Sequence, residues 1–204
     1  MIGVIDYGVG NNASVHRMIQ RVGGSSISVT NPDMLSSVDK VILPGVGHFD
    51  AGMSELVRHG FHDGVLEQLT HRQRPLLGIC LGMQLLCHSS EEGSRPGLGL
   101  VNAHVVKFRF EAGSTLKVPH MGWNTIGAVR DNPLLPISHD EQRFYFVHSY
   151  KVVPGDPQLT IAHADYGGEF CAAFQKKNVF GVQFHPEKSH RFGMDLMRRF
   201  VELT

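Results

Sequence analysis

The chain has too little cysteine for a disulfide framework. Three cysteines in 204 residues, without framework spacing, fit a reducing compartment and an expected cytoplasmic location. It also lacks an excess of either charge, with 19 Lys plus Arg against 19 Asp plus Glu. That balance leaves no electrostatic footprint for nucleic acid, and no basic amphipathic stretch points to a membrane surface. No apolar run is long enough to cross a bilayer, and "MIGVIDYG" has neither the basic region nor the apolar core of a secretory signal. H-E-x-x-H and C-x-x-C are missing, and His59 and His62 in "HGFHDG" sit among glycines, so no metal site is expected. No repeat, low-complexity tract or linker divides the chain. With 42% hydrophobic residues, the expectation is one folded domain over 1–204.

The first half alternates short β-like runs with helical periodicity. "IGVI" (2–5) reads as a strand, and 12–22 as a helix with Val15, Met18, Ile19 and Val22 along one stripe. "ISVT" (27–30) and "KVILP" (40–44) are further strands, the second apolar enough for burial on both faces. Helical material is expected around 50–58 and 62–72, then a strand at 75–79. This βαβα rhythm predicts a parallel, doubly wound sheet. From about residue 99 strands dominate, at 100–108, 116–126, 144–153, 158–164, 169–176 and 179–184. They read as an antiparallel extension of that sheet, closed by an amphipathic helix over 190–203 with Met194, Met197, Phe200 and Val201 inward.

Within "PLLGICLGMQLL" (75–86), Cys80 stands between Gly78 and Gly82 where a strand meets a helix. G-x-C-x-G in that setting is the thiol form of a nucleophile elbow, whose glycines clear space for a sharp turn. The helix start favours a thiolate, and the Leu81 N–H can help hold an oxyanion. A small buried cysteine in a glycine-rich turn is the plainer alternative. Cys87 and Cys171 lack such a setting and read as packing residues inside a helix and a strand.

A thiol nucleophile needs a base, and "VFGVQFHPEKS" (179–189) offers one. If Pro186 keeps the backbone extended, His185 and Glu187 face the same way, and the carboxylate can fix the imidazole tautomer. An exposed polar turn is the competing reading. "LPGVGHF" (43–49) ends the buried strand, and the backbone N–H groups of Gly45, Val46 and Gly47 can complete an oxyanion hole opposite Leu81. A different class of function is suggested by "DYGVGNNA" (6–13). Gly8, Gly10 and Ala13 match a dinucleotide fingerprint, and Asp33 lies near the ribose-contact distance of a nicotinamide-dependent oxidoreductase. Against it, Asp33 follows a proline in a loop.

Taken together, "GICLGMQLL", "LPGVGHFDAGM", "KVPHMGWN", "FYFVHSY" and "GVQFHPEKS" resemble the class I glutamine amidotransferases, and among these the glutaminase subunits of imidazole glycerol phosphate synthases. The resemblance covers essentially the whole chain. It implies a three-layer, flavodoxin-like α/β/α fold and hydrolysis of glutamine to glutamate and ammonia without a metal or organic cofactor. Cys80 is then the nucleophile, His185 the base and acid, and Glu187 its orienter. Gln84, Glu92, Ser149 and Tyr150 would contact glutamine, and Gly45–Val46–Gly47 with Leu81 would hold the oxyanion. The resemblance further implies a (β/α)8-barrel synthase partner that receives ammonia through a channel, with Met121, Trp123, Asn124, Tyr145 and Lys188 near the joint. Glutaminase activity would be weak until the partner switches it on, through a flip of the "PGVG" backbone. Two departures are Asn12, where an aliphatic residue is common, and the basic stretch in "HPEKSHRFGM". The latter is similar to second copies of the subunit that feed a sugar amidotransferase in surface-polysaccharide synthesis.

Overall fold

The computed structural model describes residues 1–62 and 74–203. The expected helix at 62–72 therefore lies, apart from its first residue, outside the described residues. The first half contains β1 (Ile2–Ile5), α1 (Asn12–Arg21), β2 (Ser26–Val29), β3 (Lys40–Gly45), α2 (Phe49–Arg58), β4 (Leu76–Cys80) and the short α3 (Leu81–Leu85). The second half is strand-rich: β5 (Ser89–Ser90), β6 (Ala103–Lys107), β7 (His120–Ala128), β8 (Gln142–His148), β9 (Tyr150–Pro154), β10 (Thr160–Asp165), β11 (Glu169–Lys176) and β12 (Val179–Val182). Helix α4 (His190–Glu202) closes the chain.

All the strands join one sheet, whose main path runs β2-β1-β3-β4-β12-β11-β10-β7-β8. The five strands from β2 to β12 are mutually parallel, and β11 begins the antiparallel extension. Strand alternation sends neighbouring residues to opposite faces. Val4, Ile42, Leu77 and Ile79 join one apolar cluster with Val15 and Ile19 of α1 and Leu196, Met197 and Phe200 of α4. Ile5, Val41, Leu43 and Leu76 join the other, with Phe49, Met53 and Leu56 of α2 and Leu81, Met83 and Leu85. Helices thus cover both faces of the parallel half, giving three layers. Each such buried side chain contributes roughly 1.5–3 kcal/mol of transfer free energy. The inward stripe of α4 includes Gly193 and Leu196 as well as Met197 and Phe200, while Met194 and Val201 are only partly buried.

Several boundaries differ from those the sequence suggested. The strand expected at 116–126 starts only at His120, after a cis Val118–Pro119 bond. The run expected at 144–153 is two strands, β8 and β9, broken at Ser149. Cys87 lies beyond α3 rather than inside it, and burial raises its thiol pKa. Cys171 does sit in a strand, its thiol pushed up to about 12 chiefly by burial. The segment 186–188 is not extended, because Pro186 opens a 3-10 turn (Pro186–Lys188), where its fixed φ and missing N–H cost nothing. Of the dinucleotide-like glycines, Gly8 takes a positive φ of 81° in open space, and Gly10 serves packing. A Cβ on Gly10 would meet the Pro44 ring at 3.2 Å, and Tyr7, fully buried, donates its hydroxyl to the Pro44 carbonyl at 2.8 Å. Asp33 sits exposed in a 3-10 turn (Pro32–Ser37).

Candidate active site

Strand β4 lies between β3 and β12, so the ends of all three converge. Cys80 is the last residue of β4, opposite Gly45 of β3, and it adopts φ 54°, ψ −110°. That positive φ in a residue with a side chain is the strained turn of an elbow. The flanking glycines permit it. A Cβ on Gly78 would press the Gly82 backbone at 2.8 Å, and one on Gly82 would overlap the Leu43 carbonyl. Helix α3 has only five residues, so a macrodipole gives the sulfur limited help. The Gln183 amide donates to the Cys80 sulfur at 3.8 Å, and Gln183 is itself held by Gln84 Nε2 at 3.0 Å.

His185 and Glu187 meet although the backbone between them is not extended. Imidazole Nδ1 lies 2.7 Å from Glu187 Oε1, and both side chains are 2% exposed. Ser189 locks the turn by donating its hydroxyl to the His185 carbonyl at 2.6 Å and accepting the Tyr145 N–H at 3.0 Å. Burial alone would lower the His185 pKa. Interaction with the Cys80 sulfur and with Glu187 outweighs it and raises the value to about 9. His185 Nε2 and Glu187 Oε2 are buried without a hydrogen-bond partner. A buried, unpaired ring nitrogen beside a thiol is a group that a reaction can use.

These groups open into a cavity of about 280 Å³ lined by Val46, Gly47, Leu81, Gln84, Glu92 and Ser149 among others. It is at the small end of ligand cavities, suited to an amino acid rather than a nucleotide. Cys80, His185 and Tyr150 line it too, while Glu187 stands behind the imidazole. Of the oxyanion candidates, Val46, Gly47 and Leu81 reach the cavity. Gly45 does not: its Cβ position is closed by the Tyr7 hydroxyl, Gly82 N and Leu81. Gly47 has φ 102°, which leaves the loop free to turn there. Gln84 spends Nε2 on the Tyr150 carbonyl at 3.2 Å and on Gln183, leaving its amide oxygen free to accept.

A family model described as "Glutamine amidotransferase class-I" matches residues 3–203. The chain belongs to the class I glutamine amidotransferase family. This amidotransferase is 49% identical to "Imidazole glycerol phosphate synthase subunit HisH 2" of Pseudomonas aeruginosa, over 100% of both chains. It is 46% identical to the protein of the same name from Methanococcus maripaludis, over 99% of each. "Structure of PurLQS from Thermotoga maritima" shares the fold, with TM-score 0.73 at 19% identity, covering 98% of this chain and 94% of that one. Neither name points to polysaccharide synthesis or to a nicotinamide enzyme. Of the sites expected near a partner, Met121, Trp123, Asn124 and Tyr145 lie on the sheet extension and Lys188 in the turn after β12. Met121 and Trp123 are 62% and 41% exposed, and Lys188 Nζ stands 5.8 Å over the Tyr145 ring. Asn124 is instead turned toward the interior, donating to the Asp165 carbonyl at 2.8 Å.

Sequence reasoning missed three lining residues, Pro119, Val147 and His148. All three lay inside motifs already singled out, Pro119 in "KVPHMGWN" and Val147 and His148 in "FYFVHSY". Their spacing from Cys80 gives no sign of contact, because the sheet brings them there.

Proposed function

We propose that residues 1–204 act as one cytoplasmic glutaminase domain, the ammonia-producing subunit of an imidazole glycerol phosphate synthase. Its partner is a (β/α)8-barrel synthase. The observation that carries the chemistry is the line Cys80–His185–Glu187 at the end of a central strand, facing an amino-acid-sized cavity. The Cys80 thiolate attacks the side-chain carbonyl carbon of glutamine, forming a tetrahedral intermediate. Its oxyanion is met by N–H groups of Leu81 and of the Val46–Gly47 segment. His185, whose pKa is raised, holds the proton that the leaving amine takes away as ammonia. The resulting thioester is hydrolysed by water that the now neutral His185 deprotonates, and glutamate departs. Glu187 keeps the imidazole in one tautomer throughout. Glu92 offers a carboxylate for the substrate ammonium, and Ser149 and Tyr150 supply further wall of the cavity.

The test is Cys80→Ala in the complete complex. The expected result is loss of glutamine-dependent synthesis with synthesis from ammonium salts retained. Loss of both in a folded complex, or retention of both, contradicts the proposal.

A further inference from the structure

One buried polar pair, of which His148 lines the cavity, takes no chemical step in this reaction. His120 on β7 and His148 on β8 are cross-strand partners, 3% and 6% exposed, with His120 Nδ1 2.9 Å from His148 Nε2. Aromatic rings enclose them. Phe146 and Tyr166 stack on His120, and Phe108 and Phe170 lie against His148. Burial holds His120 at about 4 and His148 at about 3, so both rings are neutral near pH 7.

Neutral rings carry one proton each, and the ends of the chain decide where it sits. The Tyr150 carbonyl can only accept, so His148 Nδ1, at 2.8 Å, carries its proton. His148 Nε2 must then accept from His120 Nδ1. His120 Nε2 in turn accepts from Asn124 Nδ2 at 3.3 Å. Asn124 gives a further hydrogen to the Asp165 carbonyl at 2.8 Å, and its oxygen takes the Thr125 N–H at 2.8 Å. One proton arrangement satisfies every member, which makes the chain directional and stiff.

The chain meets the site at the Tyr150 carbonyl, which also accepts from Gln84. Ser149, immediately before it, is the break between β8 and β9; its carbonyl accepts the Phe108 N–H at 3.1 Å, and the Tyr150 carbonyl beside it is held by side chains. We propose that the His120–His148 pair is a positioning device for the glutamine pocket. It fixes the Tyr150 carbonyl and the Ser149 break, and ties that wall to β7, the strand that exposes Met121 and Trp123. The inference rests on the glutaminase reading above and adds two positioning residues to it.

The test compares two labels on Cys80: a chloroketone analogue of glutamine, which needs the pocket, and iodoacetamide, which needs only the reactive sulfur. His148→Leu slows analogue labelling roughly tenfold, the worth of one buried hydrogen bond. Iodoacetamide labelling stays within about twofold, since the elbow is untouched. His148→Asn, which keeps a donor toward the Tyr150 carbonyl, recovers most of the analogue rate. His120→Leu, which touches no substrate, shows the same selective loss as His148→Leu. Should His148→Leu not fold, His120→Leu against His120→Asn makes the same comparison, because asparagine keeps the donor toward His148. Wild-type analogue rates in the leucine variants overturn the proposal, as does equal loss with both labels. A wild-type Cys80 that the analogue fails to label refutes the glutaminase reading itself, which is a separate result.

Discussion

At His185, burial and charge pull in opposite directions. Burial disfavours the imidazolium, yet the Cys80 sulfur and the Glu187 carboxylate raise its pKa from 6.5 to about 9. A base whose pKa is raised by folding adds stability that is complete below the unfolded value of 6.5. That stability is lost as pH climbs through about 9. Glu187→Gln keeps a hydrogen-bond acceptor and removes the charge. The variant is expected to be less stable at neutral pH by on the order of 1–2 kcal/mol, with a flatter profile across that window. Thermal melts from about pH 6 to 10 check this, and parallel curves for the two proteins count against it. All three residues of the line were legible in the sequence, because the elbow glycines and H-P-E are local signals. The reason for their meeting was not legible. Pro186 opens a 3-10 turn, which aims the carboxylate at the ring by a different route from an extended strand.

At the scale of elements, the segment after the oxyanion loop is held by a reciprocal clasp. The Glu92 carboxylate accepts the Phe49 N–H at 2.8 Å, capping the start of α2. Asp50, in the first turn of that helix, accepts the Ser94 and Arg95 N–H groups at 3.0 Å each. Those backbone bonds hold the Asp50 carboxyl below its ordinary pKa. A Cβ on Gly93 would run into the same carboxylate, so the close approach needs glycine there. With one Glu92 oxygen on the helix, the other is left for the substrate ammonium proposed above. Asp50→Asn replaces an acceptor with an amide that has donors facing donors. The glutamine KM should rise about fivefold with kcat nearly unchanged, and less than additively when combined with Glu92→Gln. An unaltered KM in Asp50→Asn, with a raised KM in Glu92→Gln, removes Asp50 from this role. The parallel half of the fold was read well because its strands are continuous apolar runs between periodic helices. The break at Ser149 was missed, since "FVHSYKVV" carries neither glycine nor proline to mark it. The His120–His148 contact was missed because no periodic pattern links residues 28 apart in sequence.

Across the whole molecule, the reacting groups and the exposed aromatic surface belong to one sheet but to different parts of it. The parallel strands carry Cys80 and lead to His185, and the antiparallel extension carries Met121 and Trp123 outward. Trp123 stacks flat on His190, with centroids 5.4 Å apart and planes within 7°, so its ring is already oriented in the free chain. A large, rigid, half-exposed ring beside a 62% exposed methionine suits the anchor of an interface, since little rotamer entropy is lost on docking. The sequence suggested this use only through family resemblance, because "HMGWN" reads equally well as a core strand. Exposure is what separates the two readings. Trp123→Ala is therefore expected to weaken binding to the barrel synthase at least thirtyfold, as for an interface anchor worth about 2 kcal/mol. The melting temperature of the free chain should change by only a few degrees, because the ring covers little core. Val57→Ala supplies the control. Val57 is 55% exposed on α2, away from the antiparallel extension, and should leave affinity unchanged. Titration calorimetry on the three proteins decides the matter. Equal affinities for Trp123→Ala and wild type place the partner on another face, whereas a large fall in melting temperature makes Trp123 a core residue after all.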